Sequence, residues 1–387
     1  MWKRILSLAV FVVLTLCVAL PCSASSMGAV GGNVAASGEL NLDAKGAILM
    51  EAETGTILYE SEAKTKLYPA SVTKVMTMLL VMEALDSGAV TEEDPISASE
   101  NACSYGGTQI YLEVGETMSL RDLLKSVAVN SANDAAVALG EYLAGSEKAF
   151  VDRMNQRARE LGAENTNFVN PCGLPDDNHY TCAYDVALFT RELLKHPHIL
   201  DYTGIWMDSL RNGGFGLANT NKLLKTYDGI TGMKTGYTEA AGHCLAATAT
   251  RDGMSLIAVI LGGETSKGRF ASAASLLDYG FSGYTVVRRS VGSIPPIPVN
   301  RGKADCVSVA AEADLSIVVK KSAVTQVALE ISVEETLQAP VAAGQVVGTA
   351  RFTYEGEEVL SVPVVACEAV EKAGFFDYLG QIIQHLF

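Results

Sequence analysis

The spacing of apolar positions changes several times along this chain, and each change marks an element. Ile5 to Leu20 is a nearly unbroken apolar run, preceded by Lys3-Arg4 and followed by the small residues Cys22-Ser23-Ala24-Ser25, the layout of a cleaved export signal over 1–24. The run falls short of a comfortable membrane span, which weighs against an uncleaved anchor. Residues 25–41 are rich in Gly, Ala, Ser and Asn with no apolar period, and read as a flexible spacer. Ala47 to Met50 and Thr56 to Tyr59 read as two strands joined by a turn through Thr54-Gly55.

From Ser71 the pattern becomes helical: Val72, Val75, Met76, Leu79, Leu80, Met82 and Leu85 recur until Gly88. Further helices are expected over Ser119 to Val129, Asn133 to Ala144 and Glu147 to Leu161, the last stopped by Gly162. Gly242 to Thr250 and Met254 to Leu261 flank Arg251-Asp252-Gly253 as a β-hairpin with an Asp-Gly turn, and Lys267 to Phe281 follows as a helix. Strands at both ends of 42–283, with helices between and after them, imply an α+β domain whose sheet joins distant parts of the chain under a helical cover.

Beyond Tyr284 the pattern shifts to short β-branched runs: Leu315 to Val319, Val327 to Val333 and Val359 to Val365. Pro295-Pro296-Ile297-Pro298 interrupts, and turn signals fall at Ala343-Gly344-Gln345 and Glu355-Gly356-Glu357, so 284–370 reads as a small all-β domain. It lacks a cluster of nucleophile, base and oxyanion donors and reads as a spacer or docking module. The tail 371–387 carries Phe375, Phe376, Tyr378, Leu379, Ile382, Ile383, Leu386 and Phe387 at helical spacing, an amphipathic helix suited to lie in a membrane interface. Its few basic residues leave packing against the preceding domain or a partner as the competing reading.

Composition narrows the function classes. At 387 residues, 49% of them hydrophobic, the chain can hold one sizeable core and a second module. A formal net charge of −15 argues against a nucleic-acid partner, which needs a basic face. Of eight cysteines, Cys17 and Cys22 belong to the leader region; Cys103, Cys172, Cys182, Cys244, Cys306 and Cys367 lack the spacing of a zinc site or a disulfide framework. Most read as free thiols, with a local Cys172–Cys182 bridge left open. Neither a metal nor an organic cofactor is indicated.

Three short motifs carry the candidate chemistry. Ser71-Val72-Thr73-Lys74 puts a hydroxyl and an amine three residues apart on one helical face, about 5 to 6 Å between Cβ atoms. A serine hydroxyl needs a base to become nucleophilic, and a desolvated lysine can serve. The same four residues also describe an N-cap serine and a surface lysine, but Lys74 lies in an apolar stretch, where a charge is costly. Its apolar flanks predict a Lys74 that is substantially neutral near pH 7. Ser131-Ala132-Asn133 falls between two helices, where it serves either as a plain helix cap or as a loop aiming a hydroxyl and an amide into a cleft. Lys234-Thr235-Gly236, just before the hairpin, can hold a carboxylate, with Gly236 permitting close approach of ligand backbone; a strand-edge cluster is the alternative.

The ordered set of all three is far more specific than any one of them. With Asn133-Asp134-Ala135-Ala136, Asn170-Pro171-Cys172-Gly173-Leu174, Lys234 to Thr238 and Ala241-Gly242-His243-Cys244-Leu245, the chain resembles the low-molecular-mass penicillin-binding proteins that act as D-alanyl-D-alanine carboxypeptidases, relatives of the serine β-lactamases. The resemblance covers Leu42 to Gly283 and, more loosely, the β domain to Val370. No G-x-S-x-G elbow is present, and of five histidines neither His179 nor His243 has an evident nucleophile partner.

The resemblance implies a β-lactamase/transpeptidase-like fold and an exported enzyme at the cell wall or in the periplasmic space, attached peripherally to the outer face of the cytoplasmic membrane. It implies that Ser71 attacks the carbonyl between two terminal D-alanines of a peptidoglycan stem peptide while Lys74 takes its proton. Ser131 and Asn133 would relay the proton and orient the peptide, Lys234 would stabilise charge, and the N–H groups of Ser71 and Tyr237 would form the oxyanion hole. Thr235 and Arg269 would grip the free carboxylate, with a surface helix charge as the competing reading of Arg269. β-Lactam antibiotics would acylate the same serine. No glutamate stands in a recognisable deacylation motif, so Lys74 would also activate the hydrolytic water. Two competing readings are a β-lactamase, weakened by that missing glutamate and by the extra β domain, and a non-catalytic wall-binding protein of the same fold, weakened by the intact motif set.

Overall fold

The computed structural model describes residues 40–354, 356–375 and 377. The expected signal peptide, nearly all of the expected spacer, Glu355 and most of the expected C-terminal helix lie outside the described residues.

Five antiparallel strands form the central sheet: β1 (Gly46–Glu51), β2 (Ile57–Ser61), β3 (Ile230–Thr238), β4 (Gly242–Arg251) and β5 (Met254–Gly263). Their order is β2-β1-β5-β4-β3, so the N-terminal hairpin completes a sheet whose other strands lie far along the chain. Both faces are buried. Ile48, Met50, Ile257, Val259 and Leu261 point into one core, and Ala47, Leu49, Leu256, Ala258 and Ile260 into the other. Such strands read as continuous apolar runs because neither face meets water. β3 forms one edge of the sheet and carries Lys234, Thr235 and Gly236 inside a regular strand. Sequence placed these residues before the hairpin and offered an edge strand only as an alternative; the cause is that Gly232, Lys234 and Gly236 hide the strand signal.

One core is covered by α1 (Lys74–Asp86), α2 (Leu120–Val129), α3 (Asn133–Ala144), α4 (Glu147–Glu160) and α5 (Ala183–Leu193). The other is covered by α6 (Ser266–Gly283), through Phe270, Ala273, Leu276 and Leu277. α1 is the central helix, buried without interruption from Lys74 to Met82. α2 begins on a Ser119 cap whose Oγ accepts from Asp122 N, and α6 on a Thr265 cap that accepts from Gly268 N.

The chain leaves α6 into a strand at Tyr284–Arg289, paired with Leu315–Lys320. A four-stranded sheet and a three-stranded one follow, around a third core that includes Val307, Leu315, Val347, Phe352 and Val364. Pro298 sits within the short strand Ile297–Asn300, so the proline-rich stretch interrupts but does not exclude β structure. All six described cysteines are free thiols, which corrects the open Cys172–Cys182 bridge: Cys182 Sγ accepts from Asp185 N at the start of α5, and Cys172 Sγ donates to Asn170 Oδ1.

Candidate active site

Ser71 lies in a 3₁₀ turn, Ala70–Thr73, that leads directly into α1. Ala70 holds a left-handed φ of +48°, unusual for a residue with a Cβ. The loop 170–174 packs against this bend. Gly173 has φ +87°, and a Cβ there would fall 1.8 Å from Ala70 O, so only glycine permits the contact. Asn170 Oδ1 ties the loop together by accepting from Gly173 N at 2.7 Å and Leu174 N at 3.1 Å, and Thr77 Oγ1 of α1 donates to Pro171 O at 2.6 Å.

Lys74 is fully buried, and its Nζ lies 3.1 Å from Ser71 Oγ, 2.6 Å from Asn133 Oδ1 and 2.9 Å from Cys172 O. Two carbonyl-type acceptors thus fix the amine, and the serine hydroxyl takes its third direction. Burial pushes its pKa down from 10.5 to about 8, against the opposing pull of Cys172 and the buried Asp134. Roughly a tenth is then neutral at pH 7, a smaller share than the sequence reading anticipated. The attraction of Asp134, invisible in the local pattern around Lys74, accounts for part of the difference.

Asn133 opens α3 and is itself clamped: its N–H donates to Thr108 O at 2.7 Å and its Nδ2 to Gly106 O at 2.7 Å. Asp134 accepts from Ile110 N and Leu112 N, so the loop over 106–112 hangs on the start of α3. Ser131, two residues before Asn133, is 5% exposed with φ +68°, and its hydroxyl has no protein partner among the described residues. It is not a helix cap, since Ala132 occupies that position and no side chain caps the helix.

β3 closes the other side. A Cβ on Gly236 would lie 2.9 Å from Ser71 N and 2.8 Å from Pro69 O, so the edge strand abuts the serine turn directly. The close approach that Gly236 permits is made by the protein's own backbone. Lys234 is fully buried, donates to Thr235 O at 2.9 Å, and is held well below the usual lysine range by burial and then by the charges of Lys74 and Arg269. Arg269, from the first turn of α6, is 7% exposed rather than a surface charge; its NH1 group donates to Gly236 O at 2.8 Å and Cys244 O at 3.1 Å. Its Nε has no protein partner among the described residues. Tyr237 is 58% exposed, its ring stacked 4.4 Å from that of His243.

Sequence missed two contributors. Thr220 Oγ1 lies 2.6 Å from Thr235 Oγ1, and nothing in Asn219-Thr220-Asn221 signals a site. His179 is buried with its Nε2 2.8 Å from Thr73 Oγ1, while its Nδ1 accepts from Val169 N at 3.1 Å. Nε2 therefore carries the proton and donates to Thr73. Burial lowers its pKa to about 4, so it is a neutral brace of the serine turn.

A buried amine beside a serine at the head of a central helix, facing a Lys-Thr-Gly edge strand, is the architecture of the serine penicillin-binding proteins. Solved structures agree: penicillin-binding protein 5 from Haemophilus influenzae superposes with a TM-score of 0.78 at 30% identity, covering 87% of this chain and 100% of that one. Penicillin-binding protein D2 from Listeria monocytogenes, solved in its cefotaxime-bound form, matches with a TM-score of 0.58 at 33% identity over 63% of this chain and 99% of that one. The family model for D-alanyl-D-alanine carboxypeptidase (peptidase S11) matches residues 33–265, and that for the C-terminal domain of penicillin-binding protein 5 matches 290–372. D-alanyl-D-alanine carboxypeptidase DacF of Bacillus subtilis is 42% identical over 88% of this chain and 89% of its own length. This chain belongs to the D-alanyl-D-alanine carboxypeptidase family of serine peptidases.

Proposed function

We propose that the protein removes the terminal D-alanine from peptidoglycan stem peptides through an acyl-enzyme on Ser71. The observation that carries this reading is the 3.1 Å approach of the buried Lys74 amine to Ser71 Oγ, in a cleft bounded by the Lys234-Thr235-Gly236 strand. Neutral Lys74 takes the Ser71 proton as Oγ bonds to the carbonyl carbon between the two D-alanines. The backbone N–H groups of Ser71 and Tyr237 receive the oxyanion, and Lys234 stabilises the charge that develops beside it. The C–N bond then breaks, D-alanine leaves with a proton returned through Lys74 and Ser131, and Asn133 holds both Lys74 and the acyl chain in place. Water, activated by Lys74, cleaves the ester and restores the serine. Thr235 and Arg269 recognise the free carboxylate of the substrate, Arg269 chiefly by fixing the Gly236 carbonyl in position.

A β-lactam presents a reactive amide and a carboxylate in similar relation, so we propose that it acylates Ser71 and leaves slowly. The enzyme acts outside the cytoplasm at the cell wall, and the tail 371–387 holds it at the outer face of the cytoplasmic membrane; the apolar leader and the aromatic spacing of the tail support both readings. No helix among the described residues is long and apolar enough to cross a membrane.

The test is D-alanine release from a pentapeptide ending in D-Ala-D-Ala. Wild type is expected to release one equivalent per peptide, and Ser71→Ala to fall to background. Release by Ser71→Ala at the wild-type rate would overturn the assignment.

A further inference from the structure

Thr220 and Thr235 are each other's only hydrogen-bond partner for their side-chain hydroxyls among the described residues, at 2.6 Å. Two hydroxyls carry two hydrogens. One lies in the shared bond, and the other has no protein acceptor.

Where that second hydrogen points depends on which threonine donates. If Thr235 donates to Thr220, Thr235 presents only lone pairs to the cleft, which repel a carboxylate. If Thr220 donates, the Thr235 hydrogen is released toward the substrate, and the two O–H groups form a polarised chain that strengthens the outer bond. Arg269, whose guanidinium stays protonated and donates to Gly236 O beside Thr235, makes this corner positive, so an anion is the ligand it favours.

The position of Thr220 is built rather than incidental. Asn219 is buried, with its Nδ2 donating to Ile205 O at 2.8 Å and Thr203 O at 3.2 Å and its Oδ1 accepting from Asn221 N at 2.9 Å. Asn221 is buried as well; its Nδ2 donates to Gly232 O of β3 at 2.9 Å and its Oδ1 accepts from Leu223 N at 3.1 Å. Two satisfied amides therefore clamp the residue between them, and one is anchored on the same strand that carries Thr235. Such a support limits the motion of the Thr220 hydroxyl relative to its partner.

We infer that Thr220 is a positioning residue for carboxylate recognition: its hydroxyl donates to Thr235 Oγ1 and so turns the Thr235 hydrogen onto the free C-terminal carboxylate of the substrate. This rests on the reading that Thr235 binds that carboxylate.

The experiment compares Thr220→Val, Thr220→Ala, Thr220→Ser and Thr235→Val on two substrates: a peptide ending in D-Ala-D-Ala, and an N-acyl-D-alanyl thioester that bears no carboxylate. Thr220→Val is expected to raise KM for the peptide by about tenfold with kcat within about twofold, and to leave the thioester unchanged. Thr220→Ala should match it, so the result survives if one variant folds poorly, and Thr220→Ser should restore wild-type KM. Peptide KM unchanged in Thr220→Val and Thr220→Ala while Thr235→Val raises it would overturn the inference alone. Equal losses on both substrates would overturn it too, marking a structural role. Peptide KM unchanged in Thr235→Val would instead remove the carboxylate reading on which the inference stands.

Discussion

Lys74 concentrates the chemistry of the site in one buried amine. Its pKa, lowered from 10.5 to about 8 by burial, leaves the base form scarce at pH 7 and dominant above pH 9. Acylation should therefore rise with pH through about 8 and level off above it, because the neutral amine is the reactive state. Stopped-flow acylation at a saturating concentration of β-lactam, followed over pH 6 to 10, checks this, and a flat profile would contradict it. Lys74→Ala should lower acylation by about 10³-fold, within the range for loss of a positioned base. The juxtaposition of the candidate residues was legible in sequence: Ser71 and Lys74 from their spacing, Asn133 and Lys234 from the ordered motifs. Thr220 was not, because a hydroxyl pairing across a fold leaves no local period, and the attraction of Asp134 for the Lys74 proton was hidden for the same reason.

Among the elements, α1 announced itself by the helical spacing of Val75, Met76, Leu79, Leu80 and Met82, and its burial from Lys74 to Met82 marks a central helix. The strand β3 did not, since its polar and glycine-rich sequence serves the cleft more than the core. The turn before α1 was also misread as the first turn of the helix itself; the left-handed Ala70 and the 3₁₀ geometry depend on the distant loop 170–174. That dependence is testable. Gly173→Ala would drive a Cβ against Ala70 O and impose a left-handed φ on alanine. Acylation by a β-lactam is expected to fall at least about 100-fold, with stability lower by about 1 to 3 kcal/mol in urea denaturation. Wild-type acylation by this variant would show that the loop does not hold the serine turn.

At the scale of the whole molecule, the sheet joins the hairpin Gly46–Ser61 to the distant strands Ile230–Gly263 beside the cleft, and the all-β module follows through the strand Tyr284–Arg289. This division was legible from the change in apolar spacing after Tyr284, whereas the strand order β2-β1-β5-β4-β3 was not, because pairing across the chain leaves no local mark. His179 links the cleft to global stability. Its folded pKa of about 4 lies below the ordinary 6.5, so the unfolded chain binds the proton first. Stability is full above pH 6.5 and declines as pH falls toward 4, by on the order of 3 kcal/mol from this group. Urea melts across pH 4 to 7 should show that slope, and His179→Gln should flatten it; an unchanged slope in the variant would refute the brace.

The central claim, that Ser71 is the acylated nucleophile of a cleft shared by α1, α3 and β3, is tested most directly by peptide mapping after exposure to benzylpenicillin. The account predicts one penicilloyl adduct, on the Ser71 peptide, persisting long after free drug is removed and absent from Ser71→Ala. An adduct on any other residue, or labelling of Ser71→Ala at the wild-type rate, would contradict it.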